Sequence, residues 1–498
     1  MALQAGGSAA DGTEAPLLST SAAPGTTMPA GGGTAPRRNR FAFVCATLAS
    51  MTTMLHSYNL TLMSGAQLFI REDVGLSDAQ VEVLTGSMNV FMLVSILAAG
   101  WVADRLGRRC VLVIATSFLM VGALAMSLGG SYATLMAARF VTGIGAGFAR
   151  VVAPVYNTEI SPPSTRGVLS SLLNIFINLG VLLSYVSNYA FSGLPVHLGW
   201  RVMYGVGVVP PVFIAAGILL MPESPRWLAM RGRHGDARAV LVRISDTSTE
   251  ADLRLSEIKH AVAQQPEQHA LAGSTHGGGS VWKELLLRPS ASLRRILLCV
   301  LALQFFVPAS GVEAILLYSP LVFKAAGMTS TAAALGVTVA IGAVKMCFIL
   351  LGVLLTDRLG RRPLLLASTA GVAATTAALA LTLAVGGASA AAQAVCVAAV
   401  LAVVAAYSVG YALVVNTYSA EILPLRLRAQ GLGVGVAVNR LASGLVTMTF
   451  ISVADAITMP GCFFMYAAVT AVAFVFVHAR LPETKGRSLE DMDVLFNK

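Results

Sequence analysis

The sequence predicts an all-α membrane protein with twelve transmembrane helices, arranged as two six-helix halves related by pseudo-two-fold symmetry. Three observations lead to this fold class. The 498-residue chain is 56% hydrophobic and only 12% charged, whereas soluble proteins contain about 25% charged residues. Its apolar residues form long runs, and about 20 such residues in a helix cross the ~30 Å core of a bilayer. The word DRLGRR occurs twice, at 104–109 and at 357–362.

Apolar runs of the required length follow one another along the chain, six before a long polar segment and six after it. Helices are the predicted form, because the runs are too long and too continuous for the strands of a membrane barrel. The predicted spans are 41–64, 83–103, 111–130, 133–153, 168–190, 202–221, 296–318, 331–356, 364–385, 391–416, 431–453 and 461–479.

The positions of Lys and Arg predict the orientation of these spans. If the chain begins in the cytoplasm, 16 Lys and Arg residues fall in cytoplasmic segments other than the long central one, against three in the outer segments. An excess of Lys and Arg is typical of short cytoplasmic connections in membrane proteins. We therefore expect a multi-pass protein with both termini in the cytoplasm.

The chain divides into five predicted regions. Residues 1–40 are mostly Gly, Ala, Ser, Thr and Pro, and a segment with so little to bury is predicted to be a disordered cytoplasmic tail. Residues 41–221 and 295–480 form the two six-helix bundles. Residues 222–294 form a cytoplasmic loop between them, and 481–498 form a cytoplasmic C-terminal tail.

Three sequence words recur in the same order in both halves, each at the cytoplasmic end of a span. DRLGRR is one, PES at 222 and PET at 482 are another, and EISP at 159 and EILP at 421 are the third. This repetition predicts halves related by an axis along the membrane normal, with a solute site between them at mid-depth. If the halves rock against each other, contacts of the charged residues in DRLGRR would form in one state and break in the other.

Several polar residues lie within the predicted spans. Such side chains are expensive at membrane depth and mark functional sites by default. Amide and carboxylate groups exchange hydrogen bonds with hydroxyl groups, which suits a neutral polyhydroxylated solute. The predicted substrate-binding residues are Asn59, Asn174, Asn178, Gln304, Glu313 and Asn416.

Other functional classes find no support in the sequence. The net charge of +10 does not come from a cluster on a soluble domain, so no nucleic-acid partner is expected. The six Cys residues are far apart and contain no CxxC pair, so no metal site is predicted. GIGAGF at 143–148 lies inside a span and does not follow a strand, so it is not a dinucleotide fingerprint. With no nucleophile–base pair, neither an enzyme nor a cofactor is expected.

The repeated words also resemble those of a known family, the major facilitator superfamily, and within it the sugar porter branch. The resemblance covers about 41–498. FINLGVLLSYVSNYAFSGLPVHLGWR and SGVEAILLYSP are most similar to plant polyol and monosaccharide transporters. The motifs that carry it are DRLGRR at 104 and 357, RFVTGIGAG at 139, PESPRWL at 222, EILPLRLRAQG at 421 and PETKG at 482.

This resemblance implies alternating access, short helices in the 222–294 loop, and ion pairs at the inner face that favour the outward-open state. Gating residues are therefore predicted from the repeated words and from the family motifs together. They are Asp104, Arg108, Arg139, Glu159, Arg166, Glu223, Asp357, Arg361, Glu421, Arg428 and Glu483.

The chain also departs from the family pattern in its spans. Proton-coupled relatives usually have Asp at the position of Asn59, beside the residue that corresponds to Arg139. A Gln pair is replaced by Val307 and Pro308, and a Trp that stacks on the sugar ring is replaced by Asn416. Because Asn cannot release a proton at physiological pH, facilitated diffusion is predicted over proton symport.

Three cationic residues within the predicted spans, Arg150, Lys345 and Arg440, are interpreted separately. Arg150 stands where relatives have a small or apolar residue. A buried Arg implies a carboxylate partner, a water-filled cavity or an anionic substrate. Lys345 and Arg440 fit the family pattern and are assigned structural roles.

We therefore predict a transporter of a monosaccharide or polyol that works by alternating access and needs no cofactor. Its partners would be a small neutral solute and membrane lipid. We expect a monomer, in the plasma membrane rather than the vacuolar membrane. Three alternatives stay open: proton symport through another group, transport of a different small solute, and a solute sensor that does not transport.

Overall fold

The computed structural model describes residues 40–162, 165–271, 291–386, 389–424 and 427–485, without the side chains of Arg166, 261–271, Ala291, Asp357 and Ala429. These residues are helical and contain no strand, so the predicted fold class is confirmed. Residues 1–39 of the predicted N-terminal tail, 486–498 of the predicted C-terminal tail and 272–290 of the central loop lie outside the described residues.

The first half contains eight helices that form six membrane crossings, because the first and the last crossing are each built from two consecutive helices. The helices are α1 (Arg40–Thr61), α2 (Met63–Val74), α3 (Asp78–Leu106), α4 (Arg108–Leu128), α5 (Tyr132–Ile160), α6 (Arg166–Ala190), α7 (Val196–Val206) and α8 (Val209–Leu220).

Three helices follow between the two halves. They are α9 (Pro225–Met230), α10 (His234–Ile244) and α11 (Ser248–Leu271). Apolar residues of α9 and α10, among them Leu228 and Leu241, are buried in the same core cluster as residues of α1 and α5. The segment after the sixth crossing is therefore packed onto the first half.

The second half repeats the plan of six crossings. A π-helical turn, Tyr407–Tyr411, interrupts the fourth of them. The helices are α12 (Ala291–Ala309), α13 (Val312–Ala325), α14 (Thr331–Leu359), α15 (Arg361–Val385), α16 (Ala390–Ala406), α17 (Ala412–Ile422), α18 (Arg428–Met448), α19 (Phe450–Ile457) and α20 (Met459–Arg480).

Eleven segments of the described chain are long and apolar enough to cross a membrane. The first predicted span, 41–64, is a helix but is not among the eleven. The reason is its composition: α1 carries polar residues such as Thr53, His56 and Asn59, and these side chains are buried. Because α1 packs against α5 and α6 inside the bundle, its polar residues face protein rather than lipid.

The two DRLGRR turns lie at the same end of the helix bundle, which we call the basic face; the other end is the opposite face. Hydrogen bonds between the halves lie between mid-depth and the opposite face in the part of the chain that the structure describes. Tyr185 donates to the Leu316 carbonyl at 2.8 Å, and Gln67 donates to the Leu317 carbonyl at 2.9 Å. The Ser452 backbone N–H donates to Glu82 at 2.8 Å.

Close helix packing seals the opposite-face side further. A Cβ at Gly86 would collide with Met448, and one at Gly444 would lie 2.7 Å from Val90. On the basic-face side, by contrast, Asn416 is exposed although it lines the central cavity. The halves are therefore joined at the opposite face, and the cavity between them opens towards the basic face.

Candidate functional site

A central cavity of about 170 Å³ lies between the two halves. Helices α1, α3, α5 and α6 contribute its walls from the first half, and α12, α13, α14, α17 and α18 contribute from the second. Five of the six predicted substrate-binding residues line it: Asn174, Asn178, Gln304, Glu313 and Asn416. Residues from both halves thus meet around one polar space, as alternating access requires.

Amide groups form the polar wall on two sides of the cavity. Gln304 donates to the Asn416 side chain at 3.0 Å, which joins α12 to α17. Asn178 donates to the Asn174 carbonyl at 2.7 Å, and its side-chain oxygen is buried without a partner among the described residues. These groups can donate to and accept from hydroxyl groups of a solute.

Asn59 is the predicted binding residue that does not line the cavity. Its side chain is buried and donates to the Leu55 carbonyl of its own helix at 3.0 Å. The Asn59 carbonyl accepts from Arg139 at 3.2 Å. The Arg139 side chain has no carboxylate partner among the described residues, and its Nε and Nη2 atoms are unpaired.

Glu313 and Arg440 form an ion pair of 3.3 Å at the cavity wall. Arg440 also donates to the Asn89 side-chain oxygen at 3.0 Å, and this bond joins α18 of the second half to α3 of the first. Its remaining contact is the side chain of Asn439. Arg440 was predicted to have a structural role. It connects the two halves through Asn89, and it also pairs with Glu313, the one carboxylate that lines the cavity among the described residues.

Sequence reasoning missed several polar residues of the cavity. Asn89, Tyr407 and Asn439 all line it, as does Lys345, to which a structural role was assigned. Each is polar within a predicted span, which is the signal that could have found it. Two tyrosines near Asn416 in the sequence do not line the cavity: Tyr411 is fully buried, and Tyr418 donates to the Pro482 carbonyl at 2.9 Å.

Arg108 organises the first of two charged clusters at the basic face. Its guanidinium lies 3.1 Å from Glu159 and 2.9 Å from Asp104. Its backbone N–H donates to Glu223 at 2.9 Å. Gly107 precedes it with φ +95°, and a Cβ there would collide with Glu223, so the turn requires glycine.

Arg361 organises the second cluster in the same way. Its guanidinium lies 3.0 Å from Glu421, and its backbone N–H donates to Glu483 at 3.0 Å. Gly360 has φ +96°, and a Cβ there would lie 3.1 Å from Glu483. The two DRLGRR words therefore build equivalent clusters, each within its own half.

The other predicted gating residues are placed differently. Arg428 donates to the Leu423 carbonyl at 3.2 Å and pairs with no carboxylate among the described residues. Arg139 lies at mid-depth beside Asn59 rather than at the basic face. The side chains of Arg166 and Asp357 lie outside the described residues. The described ion pairs at the basic face therefore join residues of one half, not residues of different halves.

Backbone donors surround the carboxylate of Glu483. Burial acts to raise its pKa, but the backbone N–H groups of Lys485, Arg361, Arg362 and Thr484 outweigh this effect and hold the pKa below its ordinary value. The side chain is thus a charged acceptor that fixes the loop after α20 to the turn between α14 and α15.

Two six-helix halves around a polar mid-depth cavity define the class of the protein: it is an integral multi-pass membrane protein with the fold of the major facilitator superfamily. Among the described residues, no group of three or more His, Cys, Asp or Glu side chains is placed to hold a metal ion. The amide groups that line the cavity suit the binding of a solute with hydroxyl groups.

The chain belongs to the family described as sugar (and other) transporter, whose model matches residues 44–496. It is 46% identical over 471 residues to polyol transporter 5 of Arabidopsis thaliana, covering 93% of this chain and 87% of that protein. It is 30% identical to the glucose transporter GlcP of Staphylococcus epidermidis, covering 90% and 95% of the two chains.

Solved structures of the xylose transporter XylE have the same fold. The proton:xylose symporter XylE bound to 6-bromo-6-deoxy-D-glucose matches with a TM-score of 0.75 and 25% identity, over 92% of this chain and 100% of that one. A partially occluded inward-open conformation of XylE from E. coli matches with the same TM-score and identity, over 90% and 100%.

Proposed function

We propose that this protein transports a sugar or polyol by alternating access and that it does so as a facilitator. The cavity is the observation that carries the proposal. Asn174, Asn178, Gln304 and Asn416 line it from both halves, and it opens to one face only. Relatives named as polyol and glucose transporters support the substrate class.

The facilitative mechanism rests on Asn59. Its neighbour Arg139 is buried with no carboxylate beside it among the described residues, so the pair has no proton to exchange near neutral pH. Substrate flux would then follow the substrate gradient alone.

Uptake into proteoliposomes tests both parts of this proposal. We expect sorbitol or glucose to equilibrate across the membrane at a rate that an inward proton gradient leaves unchanged. Accumulation above equilibrium that depends on the gradient would contradict the facilitative mechanism, and the absence of any uptake would contradict transport. Asn59→Asp is the matched gain-of-function variant: a new carboxylate beside Arg139 should introduce a response to pH.

Proton symport through Glu313 is the second candidate. Glu313 lines the cavity, and its partner Arg440 also bonds to Asn89 across the boundary between the halves. Protonation of Glu313 would release Arg440 and thereby alter the contact between the halves. Glu313→Gln should then abolish accumulation driven by a proton gradient while substrate exchange at equal pH continues. If Glu313→Gln leaves gradient-driven accumulation intact, this route is excluded.

We further propose that the basic face is cytoplasmic, that the protein acts as a monomer in the plasma membrane, and that it has neither an enzymatic activity nor a cofactor. The excess of Lys and Arg in the short segments at that face supports the orientation. A tag at the N-terminus should resist protease in sealed right-side-out vesicles and be cleaved after permeabilisation.

A further inference from the structure

Arg150 is a cationic side chain of the cavity without a partner among the described residues. Arg150 lies in α5 and lines the cavity, but it makes no hydrogen bond or ion pair with any described residue. Two other arginines of the spans differ from it. Arg139, in the same helix, is sealed in protein and donates to the Asn59 carbonyl. Arg440 is bonded to Glu313, Asn89 and Asn439.

The charges that line the cavity are unbalanced. Among the described residues, the cavity is lined by three basic side chains, Arg150, Lys345 and Arg440, and by one carboxylate, that of Glu313. Glu313 is already paired with Arg440. Lys345, like Arg150, has no hydrogen-bond or ion-pair partner among the described residues. Buried cations without a counter-ion are strongly unfavourable, so a solute that brings a negative charge would be stabilised here.

We infer that the cavity accepts a second class of solute: a polyol that carries an acidic group, bound through that group to Arg150. This inference rests on the proposed function and extends it beyond neutral sugars and polyols. A guanidinium presents paired N–H donors that match a carboxylate or a phosphate. The hydroxyl groups of the same solute would meet the amides of Asn174, Asn178 and the Gln304–Asn416 pair.

Competition in proteoliposomes tests the inference. Labelled sorbitol is exchanged across the membrane while unlabelled sorbitol, D-gluconate or sorbitol 6-phosphate competes. Gluconate tests the carboxylate and sorbitol 6-phosphate tests the phosphate. Because a charge-assisted hydrogen bond contributes more than a neutral one, we expect at least one acid to compete at about one tenth of the sorbitol concentration.

Arg150→Gln is the decisive variant, since it keeps a polar side chain of similar length and removes the charge. It should abolish the tenfold preference for the acid while sorbitol exchange continues, and Arg150→Lys should keep part of the preference. Arg238→Gln is the matched control, because Arg238 pairs with Asp252 on the loop helices, outside the cavity, and its removal should leave the preference unchanged.

The outcomes separate this inference from the proposed function. If sorbitol exchanges and neither acid competes better than sorbitol, the acidic solute class is wrong and the transporter stands. The same conclusion follows if Arg150→Gln exchanges sorbitol and retains the preference for the acid. If the wild-type protein exchanges neither sorbitol nor any acid, the proposed function itself fails.

Discussion

Arg108 in the first half and Arg361 in the second half make equivalent contacts, but the two clusters differ in burial. The side chains of Arg108 and Glu159 are 8% and 7% exposed, whereas those of Arg361 and Glu421 are 18% and 21% exposed. Helix α9 explains the difference. Trp227 of α9 donates to the Asp104 carbonyl, and Arg231, just after the helix, donates to the Arg105 carbonyl. Helix α9 is therefore held against the turn that carries the first cluster.

Among the described residues, less protein covers the second cluster. The chain after α20 supplies Glu483 and Lys485, and Lys485 donates to the Arg358 carbonyl at 2.6 Å. An exposed ion pair contributes little because water screens it, whereas removing one partner of a buried pair leaves an uncompensated charge. The same sequence word should therefore stabilise the first half more than the second.

The largest difference is expected when the acidic partner is neutralised. Glu159→Gln should lower the free energy of unfolding by about 3 kcal/mol, because the buried Arg108 guanidinium then keeps only the exposed carboxylate of Asp104 as an ion-pair partner. Glu421→Gln should cost about 1 kcal/mol, because solvent reaches that pair. Thermal unfolding in detergent measures both. Glu72→Gln, at an exposed site, is the control and should have no effect; equal losses in the two clusters would break the comparison.

The glycines that precede the two arginines should give the next largest difference. Both have positive φ with extended ψ, a backbone conformation that is essentially restricted to glycine and costs a residue with a Cβ about 1–3 kcal/mol. Gly107→Ala adds a collision with Glu223, whereas Gly360→Ala places its Cβ at 3.1 Å from Glu483. We expect a lower melting temperature for both and the greater loss for Gly107→Ala. Gly100→Ala, in open space within α3, should not destabilise the protein.

The hydroxyl partners of the two glutamates offer a smaller contrast. Ser224 donates to Glu159 at 2.5 Å. Its side chain also accepts from the Trp227 backbone N–H in the first turn of α9. Thr484 donates to Glu421 at 2.6 Å. Loss of one such hydrogen bond costs about 1 kcal/mol, and Ser224→Ala also removes a helix cap. Ser224→Ala should thus lower the melting temperature more than Thr484→Val; the reverse order would mean that the cap contributes nothing.

The smallest expected effect is a pH dependence in the second cluster. Because the pKa of Glu483 is held below its ordinary value, its charged form stabilises the folded state at neutral pH. That contribution should be constant above the ordinary pKa and should be lost as pH falls through the lowered one. The stability difference between the wild type and Glu483→Gln, measured by thermal unfolding, should shrink over that range. A difference that grows towards acidic pH would contradict the assignment.

The fold could be predicted from the sequence because the bilayer sets the length of each helix and the repeated words set the symmetry. The first span is the exception in composition. Its polar residues, such as His56 and Asn59, lower its hydropathy, yet α1 still forms because those residues face α5 and α6. A hydropathy criterion alone would have rejected this helix, whereas the count of six spans per half required it.

The site could be predicted only in part. Asn174, Asn178 and Gln304 could be found because any amide within a span is a candidate. Asn59 and Asn89 show the limit: both are amides within spans, but only Asn89 reaches the cavity. Which face of a helix turns inward depends on its rotation and on the tilt between the halves, and neither is fixed by residue type.

The π-helical turn at Tyr407–Tyr411 has a geometric consequence for the cavity wall. Tyr407 and Asn416 are nine positions apart and both line the cavity. In a regular α-helix, successive residues are rotated by about 100°, so positions nine apart point in opposite directions. A wide turn accommodates one surplus residue, which reduces the angle between the two side chains to about 80°, so that both can face the cavity. Deletion of a single codon in this stretch would therefore convert the wide turn into regular α-helix, in which the two residues are eight positions and again about 80° apart, and would leave both side chains facing the solute.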